Sequence, residues 1–248
     1  MCQYKIFDPG RKKEYHVWDA LDLPFMHRHR ITKPSLLHLA LRSRRALIYR
    51  LQNSEDFYFN YFNSLYTPTV DLTADITPSY GGLTSQRLRF IKDGFGKLGV
   101  HCKVLLLIRD PVKRDKSAVR YNLDRRDYGE GIEPGTEDFC EALDQYYKSD
   151  HARIRSSYDQ IISNVDEVFD STDFYIGVYE NMFDPEEVIR LSEFIGVEPD
   201  LGYTSVKVNR TKSDTRDCGA LEARIRDHYQ AVYDFCFDRV PATKMLWG

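Results

Sequence analysis

The stretch Lys103–Tyr121, KVLLLIRDPVKRDKSAVRY, decides the fold class of this 248-residue chain. It begins with an unbroken apolar run, Val104–Ile108, which is typical of a parallel strand buried on both faces. Arg109 and Asp110 follow at once, and Pro111 suits the first turn of a helix because that position needs no backbone N–H donor. The sequence therefore predicts an α/β fold in which helices flank a parallel central sheet.

Cationic and hydroxyl side chains follow the end of this predicted strand. Arg109 comes directly after it, and Ser117 lies on the helix that starts at Pro111. Open α/β sheets bind ligands at the carboxyl ends of their strands, and the free N–H groups of a helix start attract anions. We therefore expect an anion site at Arg109. The alternative is an ordinary strand–helix unit whose arginines are solvated.

Composition bounds the class of protein. Hydrophobic residues make up 42% of the chain and charged residues 29%, which is enough apolar surface for a core. No low-complexity linker divides the sequence, so a single domain spanning residues 1–248 is expected. The net charge of −3 argues against general nucleic-acid binding.

The chain shows no targeting or membrane pattern. No apolar run approaches the roughly 18 residues of a membrane span, and the start, MCQYKIFDPGRKK, lacks the apolar core of a signal peptide. The five cysteines are odd in number and widely spaced, with no C-x-x-C. We therefore expect reduced thiols in a cytoplasmic protein, without a disulfide frame or a bound metal.

Four ionisable groups lie close together in residues 11–19, RKKEYHVWD. They are Lys13, Glu14, His16 and Asp19. If the run is extended, Glu14 and His16 share one face, and a carboxylate beside an imidazole can act as a base for a substrate hydroxyl. From the residues alone, solvated charges near a terminus are the favoured interpretation.

These two stretches resemble a known family. R-D-P-x-x-R-x-x-S after a buried strand is similar to the segment with which sulfotransferases hold the 3′-phosphate of the donor PAPS (3′-phosphoadenosine-5′-phosphosulfate). The resemblance implies that Arg109 and Ser117 contact that phosphate. K-E-x-H-x-x-D resembles the motif of sulfotransferases that modify heparan-type glycans. It implies that Glu14 is the general base, that His16 and Asp19 position the acceptor, and that Lys13 lies near the sulfuryl group.

Two further stretches extend the resemblance. T-P-x-Y, from Thr77 to Tyr80, is similar to a second sulfotransferase landmark and implies that these two residues contact donor or acceptor. Ile76 stands where the glycan enzymes often have lysine. A late basic loop of the family closes over the 3′-phosphate, which makes Arg210 and Lys212 candidate donor contacts. A flexible surface loop is the alternative.

One part of the family pattern is absent from this sequence. Sulfotransferases carry a loop of the type P-K-x-G-T-T/S after their first strand, and it binds the 5′-phosphosulfate. Asp8-Pro9-Gly10 is followed by no such motif. Three explanations stay open: the chain is truncated, another chain supplies the loop, or the protein has lost its catalytic activity and only binds its ligand.

The resemblance implies a P-loop NTPase-like sulfotransferase fold, with a missing first strand as one interpretation. It implies transfer of a sulfuryl group from PAPS to a hydroxyl of a small-molecule or glycan acceptor that is carbohydrate-like, with PAP as product and no metal. The alternative is an inactive or truncated protein of this fold that binds a nucleotide or an anionic glycan.

Overall fold

A parallel pair of strands and a series of helices make up the residues that the computed structural model describes, 7–35, 43–205 and 218–248. These residues fall into two compact units, one within Met1–Cys102 and the other within Lys103–Gly248. The single domain expected from the sequence stays a prediction.

The first unit is helical. In chain order its helices are α1 (Trp18–Asp22), α2 (Arg44–Asn53), α3 (Glu55–Asn63) and α4 (Ser85–Gly96), with 3-10 turns at Pro24–His29 and Pro78–Gly82. Hydroxyl side chains of Ser43, Ser54 and Thr84 start α2, α3 and α4, each accepting a hydrogen bond from a backbone amide of the first turn.

Aromatic side chains form the core of the first unit. Tyr58, Phe59 and Phe62 on α3 are nearly inaccessible and pack with Tyr15 and Trp18. The aromatic run of α3 therefore serves as core packing. Around Val70 the described residues form isolated bridges, including one between Phe7 and Leu72.

The second unit contains the strands. β1 (Val104–Ile108) pairs in parallel with β2 (Phe174–Val178), with Val104 opposite Phe174. Its helices are α5 (Pro111–Arg125), α6 (Phe139–Tyr146), α7 (Asp150–Ser156), α8 (Tyr158–Asp166), α9 (Pro185–Ile195), α10 (Gly219–His228), α11 (Gln230–Arg239) and α12 (Ala242–Trp247), with 3-10 turns at Tyr179–Asn181 and Leu201–Ser205. Helices flanking a parallel sheet are thus present, although the sheet of the described residues has two strands.

The strand at Val104–Ile108 is confirmed, but its expected burial on both faces is wrong. Leu105 is 49% exposed and Leu107 is 39% exposed, whereas Ile108 is fully buried. Alternate side chains of a strand point to opposite faces. The described residues cover one of these faces and leave the other open, and an apolar run alone cannot reveal such a difference.

A disulfide joins two distant parts of the second unit. Cys140 on α6 is bonded to Cys218, which directly precedes α10, with the Cα atoms 5.9 Å apart. The expectation of reduced thiols is therefore wrong for this pair, while Cys236 is a free thiol. A separation of 78 residues carries no local pattern, so the sequence could not show the pairing. The predicted cytoplasmic location stays a prediction, and the disulfide weighs against it.

None of the described helices is long and apolar enough to cross a bilayer.

Candidate functional site

The loop that leads into α1 brings the predicted catalytic residues together. The His16 ring lies between two carboxylates, with Nδ1 2.7 Å from Asp19 Oδ2 and Nε2 3.6 Å from Glu14 Oε2. Lys13 Nζ lies 3.5 Å from Glu14 Oε1. The four side chains therefore form one cluster, which we call the base cluster.

The base cluster has a buried end and an exposed end. Asp19 is inaccessible, and its carboxylate also accepts hydrogen bonds from the Ser79 hydroxyl and from the Ala20 amide. The side chain of Glu14, by contrast, is 40% exposed. Glu14 is therefore the carboxylate that an incoming hydroxyl can reach, and Asp19 anchors the imidazole from behind.

Charge in the cluster favours an ionised Glu14 beside a protonated His16. Burial lowers the pKa of His16, but hydrogen bonds to Asp19 and Glu14 outweigh this effect and raise the pKa to about 9. The hydrogen bond from His16 is the main reason that the pKa of Glu14 is lower than usual, with partial burial opposing it. At neutral pH the imidazolium therefore holds a carboxylate that is ready to accept a proton.

The backbone of the cluster is bent rather than extended. His16 has φ of +50°, in the left-handed region that residues with a side chain rarely adopt. The extended run that would place Glu14 and His16 on one face is therefore not formed. The two side chains nevertheless meet, because the turn at His16 directs its ring between the carboxylates.

Thr77 and Tyr80 lie against this bent backbone. The Thr77 hydroxyl accepts from the amides of Tyr15 at 3.1 Å and His16 at 3.5 Å. The Tyr80 hydroxyl accepts from the amide of Val17 at 3.2 Å. Both residues are therefore next to the base cluster, and their predicted contact with donor or acceptor stays a prediction.

Asp75 is the residue here that the sequence argument missed. Its carboxylate accepts from Thr77 Oγ1 at 2.6 Å, Tyr80 Oη at 2.7 Å and Tyr58 Oη at 3.3 Å. Burial raises the pKa of Asp75 to about 6, although hydrogen bonds from Thr77 and Tyr80 oppose the rise. Its position two residues before Thr77 was the only available signal.

Gln52 and His29 complete the surroundings of His16. The Gln52 amide nitrogen donates to the carbonyls of His16 at 2.6 Å and His29 at 3.0 Å. The ring of His29 stacks on that of His16, with centroids 3.9 Å apart and planes at 15°. No local pattern connects α2 with this loop, since Gln52 lies more than twenty positions from both histidines.

In the second unit, Arg109 lies at the carboxyl end of β1 as predicted. Its guanidinium carbon is 4.5 Å from the centre of the Tyr179 ring, and its buried Nε has no hydrogen-bond partner among the described residues. Asp110 caps α5 by accepting from the Lys113 amide at 2.8 Å. Ser117 lies on the same helix and is half-buried. An arginine with an unmet donor beside a helix start is suited to an oxyanion.

A buried carboxylate on α5 was also missed. Asp115 is inaccessible and accepts from Tyr229 Oη at 3.0 Å and Ser156 Oγ at 3.4 Å. Burial raises the pKa of Asp115 to about 7, against the effect of the neighbouring Arg114. These bonds tie α5 to α7 and to the end of α10, so Asp115 stabilises the helix that carries Ser117.

Two predicted donor contacts, Arg210 and Lys212, lie outside the described residues. Within the described ranges, no three His, Cys, Asp or Glu side chains come together as metal ligands.

Comparison with known proteins gives a likeness in structure. No protein-family model matches the chain, and no curated protein matches it in sequence. Among solved structures, a sulfotransferase from Alicyclobacillus acidocaldarius is similar, with a TM-score of 0.53 and 21% sequence identity over 97% of this chain and 86% of that chain. The chain therefore shares a sulfotransferase fold, and the predicted fold is confirmed at this level. The P-loop NTPase-like assignment is only partly supported.

Proposed function

We propose that this protein is a sulfotransferase that moves a sulfuryl group from PAPS to a hydroxyl of a carbohydrate-like acceptor. The observation that carries the proposal is Glu14, an exposed carboxylate that His16 keeps ionised, in a chain with a sulfotransferase fold.

Glu14 acts as the general base in this proposal. An alcohol is a poor nucleophile until its proton is removed in the transition state. As the acceptor oxygen forms its bond to sulfur, the bond between sulfur and the departing phosphate oxygen breaks, and the acceptor proton passes to Glu14. Lys13, beside Glu14, supplies positive charge for the oxygens of the sulfuryl group.

Arg109 is the proposed contact of the donor's 3′-phosphate. Its buried Nε is a donor that no described residue satisfies, and it lies directly before the start of α5. Ser117, Arg210 and Lys212 are further candidates by the sequence resemblance. PAP, the product that keeps the 3′-phosphate, should therefore bind without any acceptor.

A second candidate is a non-catalytic protein that binds a nucleotide or an anionic glycan. The observation that favours it is the sequence, which has no P-K-x-G-T-T/S loop for the 5′-phosphosulfate. The base cluster favours the enzyme, because a binding protein has no need of an ionised carboxylate held by an imidazolium.

Calorimetric titration with PAP and with PAPS tests the donor half of the proposal. We expect wild-type protein to bind both, and Arg109→Ala to weaken PAP binding at least tenfold, since a charged hydrogen bond is lost. Arg125→Ala, at the far end of α5, is the matched control and should bind PAP with wild-type affinity.

Transfer from radiolabelled PAPS to desulfated heparin oligosaccharides then separates the two candidates. Transfer supports the enzyme, and binding of PAPS without transfer to any of a panel of glycans supports the binding protein. If wild-type protein binds neither PAP nor any of the glycans, both candidates are wrong.

A further inference from the structure

We propose that Asp75, Thr77 and Tyr80 form a positioning hub that fixes the backbone of residues 15–18 and thereby aims the base cluster. In this arrangement Thr77 and Tyr80 act on the acceptor only through the cluster and do not touch it. The inference deepens the proposed function, because it assigns the residues that hold the proposed base.

The hydroxyl of Thr77 has no hydrogen-bonding capacity left for a ligand. A hydroxyl offers one donor and two acceptor positions. Thr77 donates to Asp75 Oδ1 at 2.6 Å and accepts from the amides of Tyr15 and His16. All three positions are therefore occupied, and the side chain is 6% exposed.

The hydroxyl of Tyr80 is used in the same way. It donates to Asp75 Oδ2 at 2.7 Å and accepts from the amides of Val17 at 3.2 Å and Trp18 at 3.5 Å. Two side chains that flank one proline thus hold four consecutive backbone amides. The sequence resemblance alone suggested a ligand contact for both.

Asp75 makes the two hydroxyls act together. One carboxylate oxygen accepts a hydrogen bond from Thr77, and the other accepts hydrogen bonds from Tyr80 and, at 3.3 Å, from Tyr58. Because both hydroxyl protons are directed at Asp75, the lone pairs of the two hydroxyl oxygens face the amides of residues 15–18. The carboxylate therefore sets the orientation of each hydroxyl as well as its place.

The base cluster needs such a support because His16 has an unfavourable backbone conformation. A residue with a side chain at φ of +50° persists only where its surroundings impose it. The His16 amide is held by Thr77 and its carbonyl by Gln52. With the backbone fixed on both sides, the imidazole lies between Glu14 and Asp19.

The test is the pKa of the His16 imidazole, followed by NMR titration of the ring proton. The signal is identified among seven histidines by its loss in His16→Gln. Wild-type protein should titrate near 9. In Thr77→Val, which removes the hydroxyl and leaves the Asp75 charge in place, the value should fall by at least one unit toward the ordinary 6.5.

Matched variants separate positioning from general loss of structure. Thr77→Ser keeps the hydroxyl and should restore the wild-type pKa of His16, whereas Tyr80→Phe should lower it. Tyr175→Phe removes a tyrosine hydroxyl that donates a hydrogen bond to Glu187 in the second unit, and it should leave the His16 pKa unchanged. If Thr77→Val does not fold, the His16 pKa in Tyr80→Phe tests the proposal. An unchanged His16 pKa in a folded Thr77→Val or Tyr80→Phe protein would overturn the proposal.

The transfer assay adds a readout for the ligand question. A positioning role predicts that Thr77→Val lowers kcat at least tenfold with the acceptor KM unchanged, whereas a direct contact with acceptor predicts a raised KM. The NMR result needs neither donor nor acceptor. A positive titration without sulfuryl transfer would therefore uphold the hub and count against the proposed function alone.

Discussion

The base cluster and the Arg109 segment differ in how their polar atoms are satisfied. Around His16, carboxylates, hydroxyls and backbone amides are paired with one another, and the anchoring Asp19 is inaccessible. At Arg109, a buried Nε has no hydrogen-bond partner in the part of the chain that the structure describes. A base must be held in one orientation, whereas an anion site must keep donors unmet until the anion arrives. The first region therefore has the pairing that the proposed base requires, and the second keeps a donor for the proposed anion.

The largest expected effect concerns the second unit, which the Cys140–Cys218 disulfide crosslinks. Replacing both cysteines by serine should lower its free energy of unfolding by about 4 kcal/mol, because the bond closes a loop of 78 residues. The unit's one tryptophan, Trp247, reports its denaturant unfolding by fluorescence in a Trp18→Phe background.

Cys102, which lies outside the Cys140–Cys218 disulfide, provides the control for this prediction. Cys102→Ser should leave the Trp247 transition in place, as should reductant added to the double-serine variant. If the double variant unfolds at the wild-type denaturant concentration, the disulfide is not a stabilising element of this unit.

The next effect concerns the first unit and its pH dependence. The folded-state pKa of His16, about 9, lies above its ordinary value of 6.5. The folded state therefore binds the extra proton between these values. The resulting stability is fully present below pH 6.5 and is lost as the pH rises through 9, a difference of about 3 kcal/mol.

Urea unfolding at pH values from 6 to 9.5 measures this loss, followed by Trp18 in a Trp247→Phe background. Above pH 7, where Asp75 is ionised in both states, the slope of stability with pH should vanish in His16→Gln. It should persist in His27→Gln, which replaces an exposed histidine of the neighbouring turn. Wild-type stability that stays constant over this range would contradict the charge state assigned to the base cluster.

A smaller effect tests the packing that supports the base cluster. A Cβ added to Gly94 on α4 would collide with the ring of Phe59, whereas one added to Gly96 meets no atom within 4 Å. Gly94→Ala should therefore destabilise the first unit by about 2 kcal/mol. Gly96→Ala, at the end of the same helix, should change its stability by less than about 1 kcal/mol.

Thermal unfolding of the two variants gives the comparison directly. Equal melting temperatures would mean that α4 does not pack closely on α3. A loss confined to Gly94→Ala would confirm the tight contact between these helices.

The sequence predicted the elements that local pattern determines. The apolar run before Arg109 predicted β1, and Pro111 predicted the start of α5. The base cluster followed from the family resemblance of residues 13–19, since their charges alone favoured a solvated segment. The strand and the helix start depend on residues that are neighbours in the chain, so the local sequence is enough to predict them.

Features that depend on contacts between residues far apart in the chain could not be predicted from the sequence. The exposed face of Leu105 depends on which elements cover the strand, and the pairing of Cys140 with Cys218 depends on how two helices pack. Asp75 looked like one acidic residue among many. Its role is visible only when the hydroxyls that point at it are known.

The proposed mechanism requires Glu14 to remove the acceptor's proton, and the rate of sulfuryl transfer in Glu14→Gln is the decisive measurement. Glutamine keeps the shape and cannot accept the proton. At saturating PAPS, with desulfated heparin oligosaccharides as acceptor, kcat should fall by about 10²–10⁴-fold, while PAP affinity and the kcat of the exposed-site control Glu137→Gln stay at wild-type values. Transfer by Glu14→Gln at the wild-type rate would contradict the account.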